Sequence, residues 1–411
     1  MQLYNTLGNQ TQRFAPRPGR PVGVYVCGIT PYDTTHLGHA FLYVSFDVLI
    51  RHLEAKHWPV RYIQNVTDID DDILRKAGET GEDWRALGNA WTRRFIDDQM
   101  ALNIRPPDVY PRATEEIDTI RGMTAMLLEK GLAYVRDGNV YFRVGRDADY
   151  GKLSCLTPKE MIPISAERGA NPADPRKENP LDFILWQAQA PGEPAWDSPW
   201  GPGRPGWHIE CSAMSLHHLG HIVDIHGGGS DLIYPHHESE IAQSEGYSGE
   251  GPFARFWVHA GMLRYQGEKM SKSLGNMVFV RDLLQTFAPD AIRLALLGHR
   301  YRESWEYHDA DLEGAAALSA RLNAAAQTPP ATVVGARDAD AVAHFTAALD
   351  DDLDTASAIT LLEGLVGDVE VGRTSSETLR QLGGILGLTF GAPPEPKVVE
   401  GWKSLRRRFE D

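Results

Sequence analysis

Residues 22–39 read Val-Gly-Val-Tyr-Val-Cys-Gly-Ile-Thr-Pro-Tyr-Asp-Thr-Thr-His-Leu-Gly-His. The first six residues are rich in β-branched types and predict a buried strand, and the next six predict a turn-prone loop. Apolar residues at helical spacing then predict a helix over residues 40–56, and residues 60–66 predict a second strand. A strand, a loop, a helix and a strand make a βαβ unit, so we expect an α/β protein with a doubly wound parallel sheet.

The rest of the chain divides into segments of different composition. Residues 112–206 contain a predicted hairpin and a Pro/Gly-rich tract, which is typical of an insertion. Strand-like runs return after residue 207, and helical patterns dominate from residue 279 onward. We therefore expect a first catalytic half (1–111), a connecting insertion (112–206), a second catalytic half (207–278) and a helical C-terminal domain (279–411).

Composition limits the partners that the protein can have. The 411 residues carry a formal net charge of −15, which disfavours DNA and other polyanions as partners. The chain contains no apolar run of transmembrane length and no apolar signal core near its start. Its three cysteines do not suggest a disulfide framework. We expect a cytoplasmic monomer that does not enter a membrane.

Two short segments predict an ATP site. A helix that begins just after His36 would present free N–H groups to a phosphate, and Gly38 would allow the nucleotide to come close. His36 and His39 can donate hydrogen bonds to phosphate oxygens, and Lys269 and Lys272 can hold the departing pyrophosphate. Either segment alone could be an ordinary stretch of chain. In this order, they resemble the paired ATP signature of class I aminoacyl-tRNA-synthetase-like enzymes, which implies ATP with Mg²⁺ and an acyl-adenylate.

Four dispersed residues form a candidate zinc site. Cys27 ends the first strand, Cys211 lies where the insertion ends, and His236 and Glu240 are four residues apart on one helical face. Two thiolates, an imidazole and a carboxylate make a tetrahedral zinc set, although Cys27 could equally be a small buried residue. The rival ligands nearby are His217, His218, His237 and Glu238. A zinc ion would favour the thiol of cysteine over the hydroxyl of serine.

Several segments resemble the cysteine-activating class I synthetase family over essentially the whole chain. They are residues 27–40, 65–72, 179–186, 206–214, 224–240 and 269–276. The resemblance implies a Rossmann-like catalytic fold, zinc held by Cys27, Cys211 and His236, and cysteinyl-AMP as the intermediate. It also implies an adenylate pocket formed by Thr30, Gly38, His39, Asn65, Thr67, Gly229, Ser230, Asp231 and Lys272. The residues implied to bind cysteine are Cys27, Thr30, Thr67 and Trp207.

The acceptor of the cysteinyl group separates two branches of this family. Residues 27–39 and 167–172 resemble the branch that transfers cysteine to the amine of glucosaminyl-inositol in mycothiol biosynthesis. The residues after Ser273 suffice for a helical domain without a separate anticodon-reading module. Residues 235–240 are closer to the branch that charges tRNA, where Glu240 would complete the zinc shell, and Leu42 replaces a Thr common to both. We expect the amino-sugar acceptor, with tRNA or another amine acceptor as the alternatives.

Overall fold

The computed structural model describes residues 1–32, 35–270, 275–329 and 336–410. Its strands are β1 (Gln2–Asn5), β2 (Gln10–Arg13), β3 (Val22–Ile29), β4 (Val60–Val66), β5 (Ala133–Arg136), β6 (Asn139–Phe142), β7 (Phe183–Ala188), β8 (Gly203–Pro205), β9 (Val223–Gly229), β10 (Ala254–Ala260), β11 (Leu263–Tyr265), β12 (Glu268–Lys269) and β13 (Trp305–Glu306). Within the described ranges, no helix combines the length and the apolar content that a membrane crossing requires.

The α-helices fall in three groups along the chain. The first group is α1 (Leu37–Ala55), α2 (Asp71–Thr80), α3 (Trp84–Ala101), α4 (Ile117–Glu129) and α5 (Pro158–Glu167). The second group is α6 (Trp207–Leu219), α7 (Glu238–Ser248) and α8 (Val280–Leu283). The C-terminal group is α9 (Pro289–Leu297), α10 (Asp309–Ala326), α11 (Ala336–Asp350), α12 (Thr355–Glu370), α13 (Ser376–Ile385) and α14 (Pro396–Arg406).

A four-stranded sheet with the order β10-β9-β3-β4 forms the centre of the catalytic region. All three neighbouring pairs are parallel, and β3 lies between β4 from the first half and β9 from the second. The strand β3 is buried along almost its whole length, as expected of a parallel strand covered on both faces. The predicted α/β fold with a doubly wound parallel sheet is therefore confirmed.

Helix α1 packs between this sheet and the C-terminal helices, in contact with β4, β10, α9 and α13. Most of its residues are buried, which requires a close approach to the neighbouring strand. A Cβ atom on Gly227 of β9 would lie 2.0 Å from the ring of Phe46 on α1. Only glycine therefore allows α1 to lie this close to β9.

The segment between β4 and β9 contains its own antiparallel sheet with the order β5-β6-β7-β8. The predicted hairpin is present: β5 and β6 are joined at Asp137 and Gly138, which both have positive φ. Helix α6 then returns the chain to the parallel sheet. The boundaries at residues 111, 206 and 278 stay predictions, and we propose them as the limits of the domains.

A buried ion-pair network joins α1 to the C-terminal helices. Asp47 on α1 lies 2.6 Å from Arg293 of α9 and 2.9 Å from Arg51. The side chains of Asp47 and Arg293 are fully buried, and Arg293 also donates to the carbonyl oxygens of Leu102 and Leu386. A buried guanidinium is tolerated only when it is paired and hydrogen-bonded, so Asp47 balances the charge at this junction.

We expect Asp47→Ala to destabilise the protein by about 3–5 kcal/mol, because it leaves a buried arginine without its counter-charge. Chemical denaturation followed by circular dichroism measures the change. The matched control is Glu79→Ala, which removes an exposed partner of Arg75 and should cost less than about 1 kcal/mol. Equal effects of the two substitutions would show that the buried pair does not stabilise the junction.

Candidate active site

A cavity of about 390 Å³ opens at the carboxyl ends of the parallel strands. Its wall includes residues at or just after the ends of β3, β4, β9 and β10, where α/β sheets bind their ligands. Twelve of the predicted site residues line it: Cys27, Thr30, His36, Gly38, His39, Asn65, Thr67, Trp207, Cys211, Gly229, Asp231 and His236. Leu42, the residue that departs from the family pattern, lines it as well.

The N-terminus of α1 forms one end of the cavity. His36 is the N-cap residue, and its Nδ1 accepts a hydrogen bond from the backbone N–H of His39 at 3.3 Å. The two imidazole rings lie 3.8 Å apart between their centroids. A helix N-terminus of this kind attracts anions through its free N–H groups and its dipole. This end of the cavity therefore suits a phosphate group.

The loop after β3 is held against β4 by its backbone. The N–H of Gly28 donates to Oδ1 of Asn65 at 2.8 Å, and Nδ2 of Asn65 donates to Oγ1 of Thr67 at 3.3 Å. A Cβ atom at Gly28 would lie 1.6 Å from the carbonyl oxygen of Asn65, so no other residue fits there without a backbone shift. The polar groups that face the cavity are thus fixed before a ligand arrives.

A buried cluster of thiols, imidazoles and a carboxylate lies at the floor of the cavity. Sγ of Cys27 is 3.8 Å from Sγ of Cys211, 3.6 Å from Oε1 of Glu240 and 3.3 Å from Nε2 of His237. Nε2 of His236 is 3.2 Å from the same oxygen of Glu240. The two sulfur atoms are too far apart for a disulfide bond, whose S–S length is about 2.05 Å.

Burial sets the protonation states of this cluster in the protein alone. It raises the pKa of the Cys27 thiol and of the Glu240 carboxyl well above their usual values. It also lowers the pKa of His236 and of His237 well below the usual range. Each group is therefore driven to its neutral form, and a cation in their midst would favour the thiolate and carboxylate forms instead.

The donor set fits a zinc ion. Oε2 of Glu240 is fully buried and accepts no hydrogen bond from any of the described residues. Nε2 of His226 lies 3.4 Å away from it. One ligand atom each of Cys27, His236, His237 and Glu240 lies within 4.8 Å of the others, and Sγ of Cys211 lies 3.8 Å from Sγ of Cys27. Thiolate, imidazole and carboxylate groups are the ligands that zinc prefers. Nδ1 of His236 lies 3.0 Å from Nδ1 of His208, a contact that orients the ring. We propose Cys27, Cys211, His236 and Glu240 as the ligands.

The remaining predicted residues have different positions. Ser230 follows β9 but does not line the cavity. Lys269 lies in β12, and its backbone is opposite that of Arg264 in the antiparallel pair of β11 and β12. Lys272 lies outside the described residues. Of the rival ligands, His237 belongs to the cluster, whereas Glu238 accepts hydrogen bonds from the backbone N–H groups of Leu153 and Ser154. His217 and His218 contact Glu116 instead.

Three histidines near the cluster were not predicted from the sequence. His226 and His259 are buried and His208 is partly buried, and desolvation lowers the pKa of each to about 3. Nε2 of His259 lies 2.7 Å from Nδ1 of His237 and so holds that ring in place. The position of His226 and His259 near the ends of neighbouring parallel strands is the signal that could have indicated them.

Comparison with known families identifies the family of this chain. A model of the catalytic domain of class I (C) tRNA synthetases matches residues 13–317, and a DALR domain model matches residues 344–391. The chain belongs to the class I synthetase family. This confirms the predicted family and, with it, the predicted class of enzyme, an ATP-dependent ligase.

Two kinds of cysteine ligase occur among the relatives of this synthetase. The cysteine–tRNA ligase of Dehalococcoides mccartyi is 45% identical over 400 residues, which cover 95% of this chain and 86% of that protein. The L-cysteine:1D-myo-inositol 2-amino-2-deoxy-alpha-D-glucopyranoside ligase of Thermomonospora curvata is 48% identical over 348 residues, with coverages of 84% and 83%. The two relatives differ in the acceptor that their names state.

Solved structures of distant synthetases share the fold. Methionyl-tRNA synthetase of Mycobacterium tuberculosis in complex with methionyl-adenylate has a TM-score of 0.66 at 16% identity and covers 93% of each chain. A leucyl synthetase of Agrobacterium radiobacter K84 has a TM-score of 0.62 at 12% identity, with coverages of 95% and 86%. At these identities the similarity establishes the fold alone.

We expect Cys211→Ser to reduce the bound zinc from about one ion per chain to well below half, because a serine hydroxyl is a poor zinc ligand. Elemental analysis of the purified protein after dialysis measures the zinc content. The matched control is Cys155→Ser, which changes the exposed cysteine outside the cluster. Equal zinc in the two variants would remove Cys211 from the proposed ligand set.

Proposed function

We propose that this synthetase-family ligase activates L-cysteine with ATP, forming cysteinyl-AMP and releasing pyrophosphate. One observation supports this most strongly. The buried thiols of Cys27 and Cys211 and the N-terminus of α1 line the same cavity. One end of the cavity suits a phosphate, and the other suits a sulfur-containing side chain. An amino acid between them would have its carboxylate near the α-phosphate.

In the proposed activation step, a carboxylate oxygen of cysteine bonds to the α-phosphorus, and the bond to pyrophosphate breaks. His36 and His39 donate hydrogen bonds to the phosphate oxygens as charge develops there, and the helix dipole of α1 adds to this stabilisation. Lys269 and Lys272 are assigned to the pyrophosphate on the basis of the sequence, with Mg²⁺ entering together with ATP. Catalysis then depends on positioning and electrostatics, without a covalent protein nucleophile.

Selection of cysteine would take place at the cluster. A zinc ion held by Cys27, Cys211, His236 and Glu240 would supply a soft Lewis acid that prefers the cysteine thiol to the serine hydroxyl. The ring of Trp207 stacks on His236 with centroids 4.3 Å apart, which orients that ring and narrows this end of the cavity. A small side chain is therefore expected here.

The adenylate contacts are assigned to the polar groups along the cavity. Thr30, Asn65 and Thr67 lie on the side of β3 and β4, and Gly229 and Asp231 lie at the end of β9. A Cβ atom at Gly38 would lie 3.0 Å from the ring of His36, so glycine leaves that ring undisturbed, and Gly38 is assigned to the nucleotide on the basis of the sequence. Ser230 does not line the cavity. We keep it in the proposed adenylate set on the basis of the sequence, and its backbone next to Gly229 would make the contact.

For the acceptor, we propose the amine of glucosaminyl-inositol, so that the product is an amide. The resemblance of residues 27–39 and 167–172 and the 48% identity to the amino-sugar ligase of Thermomonospora curvata support this choice. Arg168 belongs to the second of these segments. Its Nη1 lies 3.4 Å from Oδ2 of Asp231 in the cavity wall, so this part of the insertion contacts the site.

A tRNA acceptor is the second candidate, and specific observations favour it. The cysteine–tRNA ligase of Dehalococcoides mccartyi aligns over more of this chain than the amino-sugar ligase does. Glu240, which the resemblance associates with the tRNA branch, lies within the cluster. Both acceptors attack the same carbonyl carbon of cysteinyl-AMP and release AMP, so the activation step is common to the two candidates.

One experiment tests both steps in sequence. Exchange of labelled pyrophosphate into ATP should depend on L-cysteine and should be at least about 100-fold weaker with L-serine, as expected for a site that recognises the thiol directly. The absence of cysteine-dependent exchange in zinc-loaded protein would contradict the activation step.

The acceptor is identified with the same preparation. Glucosaminyl-inositol and tRNA are supplied separately, and the release of AMP is measured with each. The proposal predicts stoichiometric AMP release and an amide product with glucosaminyl-inositol. Release with tRNA alone would establish the second candidate and overturn the first.

A further inference from the structure

A second cluster of metal-binding side-chain types lies away from the cavity, at the opposite end of α6 from Cys211. Glu116 immediately precedes α4, and His217 and His218 lie in the last turn of α6. Nδ1 of His217 is 2.9 Å from Oε2 of Glu116, and Nε2 of His218 is 2.9 Å from Oε1. None of the three residues lines the candidate active site.

The spacing of these donor atoms suits a metal ion. One ligand atom from each residue lies within 4.8 Å of the other two. A tetrahedral shell with bonds of about 2.1 Å separates its donor atoms by about 3.4 Å. Each nitrogen lies 2.9 Å from a carboxylate oxygen and the three ligand atoms lie within 4.8 Å of one another, so the donor spacing spans the value that an ion requires.

The surroundings of Glu116 keep its carboxylate oriented. Both carboxylate oxygens of Glu116 are held in place, because Oε2 contacts Nδ1 of His217 and Oε1 contacts Nε2 of His218. Oγ1 of Thr119 donates to Oε2 at 2.8 Å, which supports the carboxylate from outside the cluster. A negative, pre-oriented carboxylate next to two imidazoles attracts a divalent cation.

Access to this cluster is open on one side. The side chains of Glu116 and His218 are 9% and 17% exposed, whereas His217 is 52% exposed. The two imidazole rings are stacked with centroids 4.5 Å apart, so both present their nitrogens to the same carboxylate. An ion can therefore enter from solvent and keep water in its remaining positions.

We propose that Glu116, His217 and His218 form a second metal site, which takes a divalent transition-metal ion such as Zn²⁺. Two imidazoles and one carboxylate are typical ligands of such ions and differ from the thiol-containing set at the cavity floor. A bound ion would fasten the start of α4 to the end of α6, the helix that carries Cys211. The competing explanation is that the histidines only form ion pairs with Glu116 at a helix C-terminus, where positive charge is favourable.

The test starts from protein whose thiol cluster is already loaded with zinc. Further Zn²⁺ is added, its binding is measured by isothermal titration calorimetry, and the bound zinc is counted by elemental analysis after gel filtration. We expect one additional zinc ion per chain in the wild type. The double variant His217→Asn/His218→Asn should bind that ion at least tenfold more weakly and keep the zinc of the thiol cluster. Glu116→Gln should weaken it by a similar factor, because it removes the charge and keeps the size of the side chain.

The matched control is His221→Asn, which removes an exposed histidine two residues beyond α6. It should leave the additional zinc ion unchanged. Wild-type protein without this ion, or a double variant that binds it as tightly as the wild type, would overturn the proposal in favour of simple ion pairs. Circular dichroism verifies the fold of each variant, and Glu116→Gln decides the outcome if the double variant does not fold.

Discussion

One buried cluster constrains the strands and helices around it: Cys27, His236, His237 and Glu240 place a ligand atom each within 4.8 Å of one another, and Sγ of Cys211 lies 3.8 Å from Sγ of Cys27. Their polar atoms lie 3.2–3.8 Å apart along the contacts that join them, in a region with almost no solvent exposure. Burial of so many ionisable groups is costly unless they are paired or bound to a metal. Such an arrangement is retained where it is needed for binding or catalysis, and here it forms the floor of the cavity.

Neighbouring parallel strands and two packed helices bring these groups together. Parallel strands bring Cys27 and His226 next to each other, because β3 and β9 are neighbours in the sheet. Helices α6 and α7 pack against each other and supply Cys211 and Glu240. The same strand ends carry the loop that leads into α1, so one edge of the sheet provides both the helix that we propose for the phosphate and the cysteine-containing floor of the cavity.

Most of the catalytic fold could be predicted from the sequence, because β3 is an almost continuous apolar run and β4 is rich in β-branched and aromatic residues, with a recognisable loop and helix between them. The second strand was predicted at residues 60–66, which are its bounds in the structure. The helix predicted over residues 40–56 begins three residues earlier, at Leu37, and ends at Ala55, since the first turn of a helix carries no apolar signal of its own.

The site was predictable only in part. The metal ligands Cys27, Cys211, His236 and Glu240 stay predictions; the structure gathers Cys27, His236, His237 and Glu240 within 4.8 Å of one another, so both neighbouring histidines reach the cluster. His226 and His259 were missed because a histidine inside an apolar strand has the same pattern as a core residue. The contact between Glu116 and the two histidines of α6 joins residues about 100 positions apart, so no local pattern indicates it.

Direct recognition of the cysteine thiol at the cluster has a spectroscopic consequence. X-ray absorption at the zinc edge of the zinc-loaded protein, recorded before and after addition of L-cysteine, tests it most directly. The account predicts one more sulfur neighbour of zinc with L-cysteine and an unchanged spectrum with L-serine. The same number of sulfur neighbours in the presence and absence of L-cysteine would contradict it.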